Sequence, residues 1–233
     1  MLRKRLECID GALAGALVIF VFSGLFPPAG LCRDVAYVTT LTTQGTVPVA
    51  SWKTMRDRRI VKQSLDYSCG AASLATLINE FYGQDISEAD LLEKLEKDDG
   101  YISFEDMRQA LPAFGFRATG YAASYNQLTR LKMPVVIYIR HRREDHFSVL
   151  RGIDEQTVWL ADPSLGNRTY SRTQFLGMWE TRDDKAENSM LKGRVLAILP
   201  DKPGIEAVQG FFTRSPERSS AAAVRQVLFR PMP

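Results

Sequence analysis

The sequence predicts an α+β fold in which N-terminal helices pack on an antiparallel sheet. Residues 69–131 contain apolar residues at helical spacing together with helix-start signals. Residues 134–199 contain short runs that are rich in β-branched and aromatic residues, which are typical of strands. Helices followed by consecutive strands indicate an α+β fold, because parallel α/β sheets alternate the two kinds of element.

The longest predicted helix begins at Cys69. Apolar residues recur on one face of it as far as Tyr82, and Gly83 then supplies a stop signal. Two further helices are predicted from starts that look like capping boxes, and a fourth is short. They run from Ser87 to Leu95, from Ser103 to the stop at Gly115, and from Tyr125 to Leu131.

The strands are predicted to follow the helices. Their segments are Pro134–Ile139, His146–Ile153, Thr157–Ala161 and Arg194–Leu199. A helix at Arg172–Trp179 interrupts this series. These elements predict a domain that spans residues 60–200.

The N-terminus has the character of an export signal. Three basic residues precede the uncharged run Gly11–Cys32, whose apolar core has about the length of a signal peptide and which as a whole could just span a bilayer. We therefore interpret residues 1–32 as a signal peptide or a membrane anchor. Because the positive charges come first, the remainder of the chain is expected outside the cytoplasm.

Two more segments flank the predicted domain. Residues 33–59 are Thr-rich, have no helical period and are predicted to form an extended linker. Residues 201–233 are rich in Pro, Gly, Ser and Arg, and we predict a C-terminal tail of low order.

Composition excludes several functions. The net charge of +3 is small and the basic residues are scattered, so we expect no nucleic-acid partner. Cys8 and Cys32 fall in the leader, which leaves Cys69 as the only thiol of a processed chain and excludes a disulfide scaffold. The sequence has no metal-ligand spacing and no phosphate-binding loop. We predict neither a metal nor a cofactor.

Four residues have the character of a cysteine-hydrolase site. Cys69 stands at a helix N-terminus, where unpaired N–H groups and the helix dipole favour the thiolate. His146 begins an apolar-rich strand and Asp162 ends the next one, so Asp162 is expected to accept a hydrogen bond from the His146 ring. Gln63, six residues before Cys69, can place its amide beside the sulfur. A nucleophile, a base, a group that orients the base and an oxyanion donor are what such chemistry needs.

Each of these residues alone has a simpler explanation. A helical Cys is more often a buried core residue, and Asp followed by Pro more often marks a turn. The second histidine, His141, ends a strand among three arginines and is interpreted as part of a solvated turn. The order Gln, Cys, His, Asp nevertheless matches the helix-then-sheet layout of papain-like enzymes, and the combination favours a catalytic site.

At these positions the sequence resembles the bacteriocin-processing, double-glycine cysteine peptidases, a papain-like family. The similarity covers residues 60–199 and is carried by three segments: Gln63 to Leu74, His146 to Gly152, and Asp162 to Gly166. The resemblance implies the following roles: nucleophile Cys69, base His146, orienting acid Asp162 and oxyanion donor Gln63.

The resemblance also implies a substrate class. In that family the domain usually precedes a transporter and cuts leader peptides after Gly-Gly. This sequence contains no transporter half and carries an export signal, so it is similar to the stand-alone periplasmic members that accompany bacterial functional-amyloid secretion systems. The implied protein is a periplasmic cysteine endopeptidase, soluble or anchored in the inner membrane. Its implied substrate is a secreted or leader-bearing polypeptide, such as an amyloid subunit or an exported secretion component, cut after small residues.

Two other functions stay open at this point. One is a papain-fold acyl-transfer enzyme that uses the same triad. The other is a non-catalytic peptide-binding module on the same scaffold, against which the presence of Cys69 counts.

Overall fold

The chain divides into two structural units, Met1–Val49 and Ala50–Pro233. The computed structural model describes residues 35–39, 44–48, 50–95, 102–141, 144–182 and 190–218. In the first unit, β1 (Val35–Thr39) and β2 (Gln44–Pro48) pair as an antiparallel hairpin. The predicted signal peptide or anchor at residues 1–32 lies outside the described residues.

A six-stranded antiparallel sheet forms the centre of the second unit. Its strands are β3 (Phe116–Ala123), β4 (Val135–His141), β5 (Glu144–Ile153), β6 (Thr157–Asp162), β7 (Gly166–Ser171) and β8 (Gly193–Pro200). The strand order is β3-β8-β4-β5-β6-β7. The last strand along the chain therefore lies between β3 and β4, while β4 to β7 follow one another as neighbours.

Six α-helices accompany the sheet among the described residues of this unit. They are α1 (Trp52–Asp57), α2 (Cys69–Tyr82), α3 (Glu88–Leu95), α4 (Phe104–Ala110), α5 (Tyr125–Leu128) and α6 (Arg172–Trp179). A 3₁₀ helix, Leu111–Phe114, follows α4 directly. The α+β fold with helices on an antiparallel sheet is confirmed.

Two apolar cores hold the helices to the sheet. In the first core, Leu74 and Ile78 of α2 pack in one cluster with Val149 of β5. In the second core, Phe175 and Trp179 of α6 pack in one cluster with residues of β4, β5 and β6. Because all five of these side chains are fully buried, the strand that carries His146 is held between the two cores.

The prediction of an extended linker at residues 33–59 was wrong in part. Residues 52–57 form α1, whose N-cap Ser51 accepts a hydrogen bond from the Thr54 backbone N–H. This helix has only six residues and buries none of them, so it leaves no apolar period in the sequence.

The prediction of low order from residue 201 onward was wrong for residues 201–218. They contain no α-helix or extended strand, yet Phe211 is buried in the first core. Backbone hydrogen bonds join Val208 to Phe81, and Thr213 to both Arg151 and Ile153. A polar composition did not reveal this packing, because one aromatic anchor and a few backbone bonds suffice for it. Residues 219–233 lie outside the described residues.

None of the helices in the described ranges combines the length and the apolar character that a membrane crossing requires.

Candidate active site

Cys69 is the first residue of α2 and its side chain is almost buried. The N-cap residue Ser68 does not cap the helix with its side chain. Its hydroxyl instead donates to the Leu65 carbonyl at 2.8 Å and accepts from the Leu65 N–H at 3.1 Å. No cap side chain therefore competes for the first N–H groups of α2, which remain available to a negative charge beside the sulfur.

His146 and Asp162 meet across the adjacent strands β5 and β6. The ring Nε2 of His146 lies 3.0 Å from Oδ2 of Asp162. The Cys69 side chain lies close enough to the same imidazole to raise its pKa. Since Asp162 occupies Nε2, Nδ1 is the nitrogen left for the thiol. Three of the four predicted residues are thus brought together in one chain of contacts.

Electrostatics in this group favour a charged imidazole. Burial of the ring acts to lower the pKa of His146, but its hydrogen bonds and charge interactions with Asp162 and Cys69 raise that pKa to about 10. Burial acts to raise the pKa of Asp162, yet the His146 ring and the N–H groups of Leu165 and Ser164 hold it below its ordinary value. The arrangement can therefore keep an imidazolium beside the sulfur.

The Asp162 carboxylate is fixed from the side opposite His146. Its Oδ1 accepts hydrogen bonds from the Ser164 N–H at 2.9 Å, the Ser164 hydroxyl at 3.0 Å and the Leu165 N–H at 2.8 Å. Asp162 is 1% exposed. The turn at Asp162-Pro163 thus also orients the carboxylate, a role of Ser164 that no sequence pattern indicates.

The backbone of Gln63 is bonded to the turn that follows Asp162, whereas its side chain is bonded within its own loop. Its N–H donates to the Pro163 carbonyl at 3.1 Å, which ties the residue to the turn after Asp162. Its amide Nε2 donates to the Leu65 carbonyl at 3.0 Å, and Oε1 is buried without a hydrogen-bond partner in the described structure. The side-chain amide is therefore held within the loop before α2 and does not bond to Cys69 or His146.

A buried carboxylate on α3 anchors that loop. Glu88 accepts hydrogen bonds from the Ser64 N–H at 3.1 and 3.2 Å and from the Ser64 hydroxyl at 2.6 Å. Charge-assisted bonds of this kind are about twice as strong as neutral ones. Glu88 thus fixes the residue after Gln63, although in the sequence it is part of an ordinary helix start.

A cleft of about 410 Å³ opens beside the sulfur. Apart from Cys69, its apolar and aromatic lining includes Tyr67, Ile102, Phe104, Tyr138 and Phe147. The ring centroid of Phe147 lies 5.2 Å from that of Phe104 and 5.6 Å from that of Tyr138. An apolar cleft with a nucleophile at one point can hold a polypeptide segment against that atom.

His141 does not belong to this arrangement. It ends β4 and is half-buried, with Nδ1 3.4 Å from the Met178 sulfur of α6. It contacts a side chain rather than solvent alone, which differs from the solvated turn that we predicted.

N-terminal helices on an antiparallel sheet, with Cys, His and Asp assembled between them, define a papain-like fold of the cysteine-peptidase type. Residues 57–182, more than half of the chain, match the family described as Peptidase C39 family. The chain belongs to the Peptidase C39 family of cysteine peptidases, and the predicted resemblance is confirmed.

Curated relatives and a solved structure agree with this assignment. The chain is 34% identical over 146 residues to the probable functional amyloid protease FapD of Pseudomonas fluorescens, which covers 58% of this chain and 64% of that protein. It is 33% identical over 138 residues to the protein of the same name in Pseudomonas aeruginosa, covering 54% and 61%. The chain thus spans less than two thirds of either relative.

The solved structure is the peptidase domain of Streptococcus ComA, a bi-functional ABC transporter involved in a quorum sensing pathway. Its similarity to this chain has a TM-score of 0.51 and 20% identity, and covers 60% of this chain and 97% of that domain. At this identity the likeness supports the fold alone.

Proposed function

We propose that this protein is a cysteine endopeptidase that cleaves an exported polypeptide after small residues such as Gly-Gly and supports the secretion or assembly of an extracellular, amyloid-type protein. The contact of His146 with both Cys69 and Asp162 is the observation that carries the proposal. Membership of the Peptidase C39 family and similarity to two proteins named functional amyloid protease support it.

In this proposal the bond is broken by acyl transfer to sulfur. The Cys69 thiolate attacks the scissile carbonyl carbon, and the carbonyl oxygen becomes an oxyanion beside the α2 N-terminus. The backbone N–H of Cys69 donates a hydrogen bond to that oxyanion. The Gln63 amide donates a second one, either with its second N–H hydrogen or after its hydrogen bond to the Leu65 carbonyl breaks. The His146 imidazolium protonates the leaving amine, which gives a thioester on Cys69.

Water then completes the cycle. His146, now neutral, removes a proton from a water molecule that attacks the thioester carbonyl. The second oxyanion collapses, the acid product leaves, and the thiolate and imidazolium are restored. Asp162 stays ionised throughout and holds the ring through Nε2, so that Nδ1 faces the reacting atoms.

The preference for small residues rests on the restricted access to Cys69. Its side chain is 8% exposed and stands at the wall of an apolar cleft. An extended chain without side chains on the residues before the scissile bond can bring its carbonyl carbon closest to such a sulfur. The basic and apolar N-terminal leader supports a periplasmic site of action, soluble or anchored in the inner membrane.

A peptide library with each residue before the scissile bond varied tests this function. The wild-type chain is expected to release products that end in Gly-Gly, identified by mass spectrometry, whereas folded Cys69→Ala and His146→Ala chains lose activity by several orders of magnitude. His141→Ala is the matched control and should keep near-normal turnover. Products that carry a transferred amine would indicate an acyl-transfer enzyme, and cleavage by Cys69→Ala would refute the proposal.

A further inference from the structure

A second cavity, of about 340 Å³, lies apart from Cys69 and carries an excess of positive charge. Its lining residues are Met55, Arg58, Arg59, Arg151, Trp159, Asn167 and Gly210. None of these side chains takes part in the chemistry proposed above, and no carboxylate is among the described residues that line the cavity.

Arg151 is the unusual member of this set. It is 4% exposed, although arginine is rarely buried unless a carboxylate pairs with it. Its guanidinium lies between two rings, with Cζ 4.1 Å from the Trp159 centroid and 4.6 Å from the Phe211 centroid. Nη1 donates to Oδ1 of Asn167 at 2.7 Å, while Nε is enclosed without a partner. Within the described residues, no salt bridge involves Arg151.

The other two arginines of the cavity differ in their ion pairs. Arg59 pairs with Glu80, and its Nη1 also donates to the Gly210 carbonyl at 2.8 Å. Arg58 is exposed at the cavity, and its side chain has no ion pair in the described part of the chain. Burial and the neighbouring charge of Arg59, partly offset by Glu80, lower the pKa of Arg151 to about 10. Within the described residues, the cavity thus holds two guanidinium groups that no carboxylate pairs with directly, since Glu80 is bonded to Arg59.

We propose that this cavity binds a small oxyanion, a phosphate or carboxylate group, between the guanidinium groups of Arg151 and Arg58. The planar fork of arginine matches such oxygens in pairs, and an anion here would supply the charge that Arg151 lacks. Asn167 prearranges the site, because its Nδ2 donates to the Arg56 and Arg58 carbonyls at 3.0 and 2.8 Å while its Oδ1 accepts from Arg151.

Thermal unfolding of the purified full-length chain in mild detergent tests the site, with Arg58→Gln as the variant. Arg151 is not substituted, because it packs between two rings and its loss would destabilise the fold. Arg117→Gln is the matched control, since Arg117 is also exposed but lies on β3, at the opposite edge of the sheet. Each chain is titrated with inorganic phosphate, and separately with citrate, against chloride at equal ionic strength.

The expected result is a saturable rise in Tm for wild type and Arg117→Gln that is absent from Arg58→Gln. At ten times the Kd, the folding equilibrium shifts about 11-fold, which corresponds to about 3–6 °C for a domain of this size. A rise with phosphate alone assigns a phosphate ligand, and a rise with citrate alone assigns a carboxylate. No rise in wild type, or an equal rise in all three chains, overturns the proposal.

Discussion

At Cys69, the hydrogen bonding of the preceding residue determines which groups the N-terminal N–H groups of α2 can bind. Serine normally caps a helix, but the Ser68 hydroxyl instead donates to the Leu65 carbonyl and accepts from the Leu65 N–H. The N–H groups of the first turn are therefore directed to whatever negative charge forms at the sulfur or at a substrate carbonyl. The position of Cys69 at a helix start was readable from the sequence, whereas the diversion of Ser68 was not, because capping residues look alike before folding.

The first prediction concerns pH. In the proposed mechanism the His146 imidazolium protonates the leaving amine. Because the pKa of His146 is raised to about 10, kcat/KM is expected to fall as the pH rises through about 10. In Asp162→Asn the main contact that raises this pKa is lost, burial acts against the charge, and the alkaline limb moves to lower pH. A pH profile of both chains measures this, and an unmoved limb would contradict it.

The same shift has a consequence for stability. A pKa that is higher in the folded than in the unfolded state stabilises the folded protein fully below the ordinary value of 6.5, and this stabilisation is lost as the pH rises toward 10. The free energy of unfolding of wild type should therefore decline more between pH 7 and pH 10 than that of Asp162→Asn. If the two free energies of unfolding decline equally with pH, the contact of His146 with Asp162 is not the source of the pH dependence.

A second prediction concerns Gln63. Loss of one oxyanion donor typically lowers turnover about 100- to 1000-fold, so Gln63→Ala should lower kcat by that factor and leave KM nearly unchanged. The backbone bond from Gln63 to the Pro163 carbonyl is kept in this variant. Gln84→Ala, which removes an amide that donates to the Tyr82 carbonyl at 3.0 Å, is the control. An unchanged kcat in Gln63→Ala would restrict Gln63 to fixing the loop through its bond to Leu65.

At the scale of elements, the site depends on two strands and a helix that meet in one register. β5 and β6 pair Val149 with Ala161, which sets His146 and Asp162 within reach of each other near the strand ends. Apolar residues of α2 and β5 share the first core, and this packing holds Cys69 against His146. The order of the strands along the chain was enough to predict this meeting, because consecutive antiparallel strands are neighbours.

The elements that escaped prediction have physical reasons. β3 and β7 lack the apolar alternation of a half-buried strand: β3 is rich in Ala and Gly, and most of β7 is half-buried and polar. They form because β8 and β6 offer them partners, which is a tertiary effect. The role of Glu88 is hidden for the same reason, since its partner Ser64 lies 24 residues away.

A third prediction follows from that contact. Glu88→Gln keeps the size of the side chain but removes the charge that holds Ser64, and charge-assisted bonds are worth about 1.5–3 kcal/mol each. We expect the free energy of unfolding to fall by about 1–2 kcal/mol and kcat to fall several-fold as the loop before α2 loosens. Urea denaturation and steady-state kinetics measure the two effects.

The control for this variant lies on the same helix. Glu93 is 77% exposed, and among the described residues its ion pair is a long one with Lys94, so Glu93→Gln should be nearly silent. If Glu88→Gln behaves like Glu93→Gln in both measurements, the anchoring of the loop by α3 is refuted.

At the scale of the molecule, the packed core of the second unit extends past β8. Residues 205–216 lie along α2 and β5, with Phe211 in the core and Thr213 paired to the strand that carries His146. Close approach of this segment explains Gly152, because a Cβ there would lie 2.9 Å from the Thr213 side chain. The sequence after residue 200 has no helical or strand periodicity, so the packing of this segment on the core is evident only in the structure.

A fourth prediction tests that extension. Phe211→Ala removes a fully buried aromatic side chain and should lower the free energy of unfolding by about 3–5 kcal/mol. Phe212 is only half-buried, so Phe212→Ala should cost clearly less. Urea denaturation of both variants measures the difference. A loss below about 1 kcal/mol in Phe211→Ala would mean that this segment does not contribute to the core.

In the proposed reaction, Cys69 forms a covalent thioester with the part of the substrate that precedes the scissile bond. The most direct measurement is a single-turnover reaction with a peptide that contains Gly-Gly, quenched in acid, digested and analysed by mass spectrometry. We expect the fragment ending in Gly-Gly to be attached to the segment that contains Cys69, and neither adduct nor cleavage to occur in Cys69→Ala. Cleavage that persists in Cys69→Ala, or an adduct on another residue, would refute the proposed reaction.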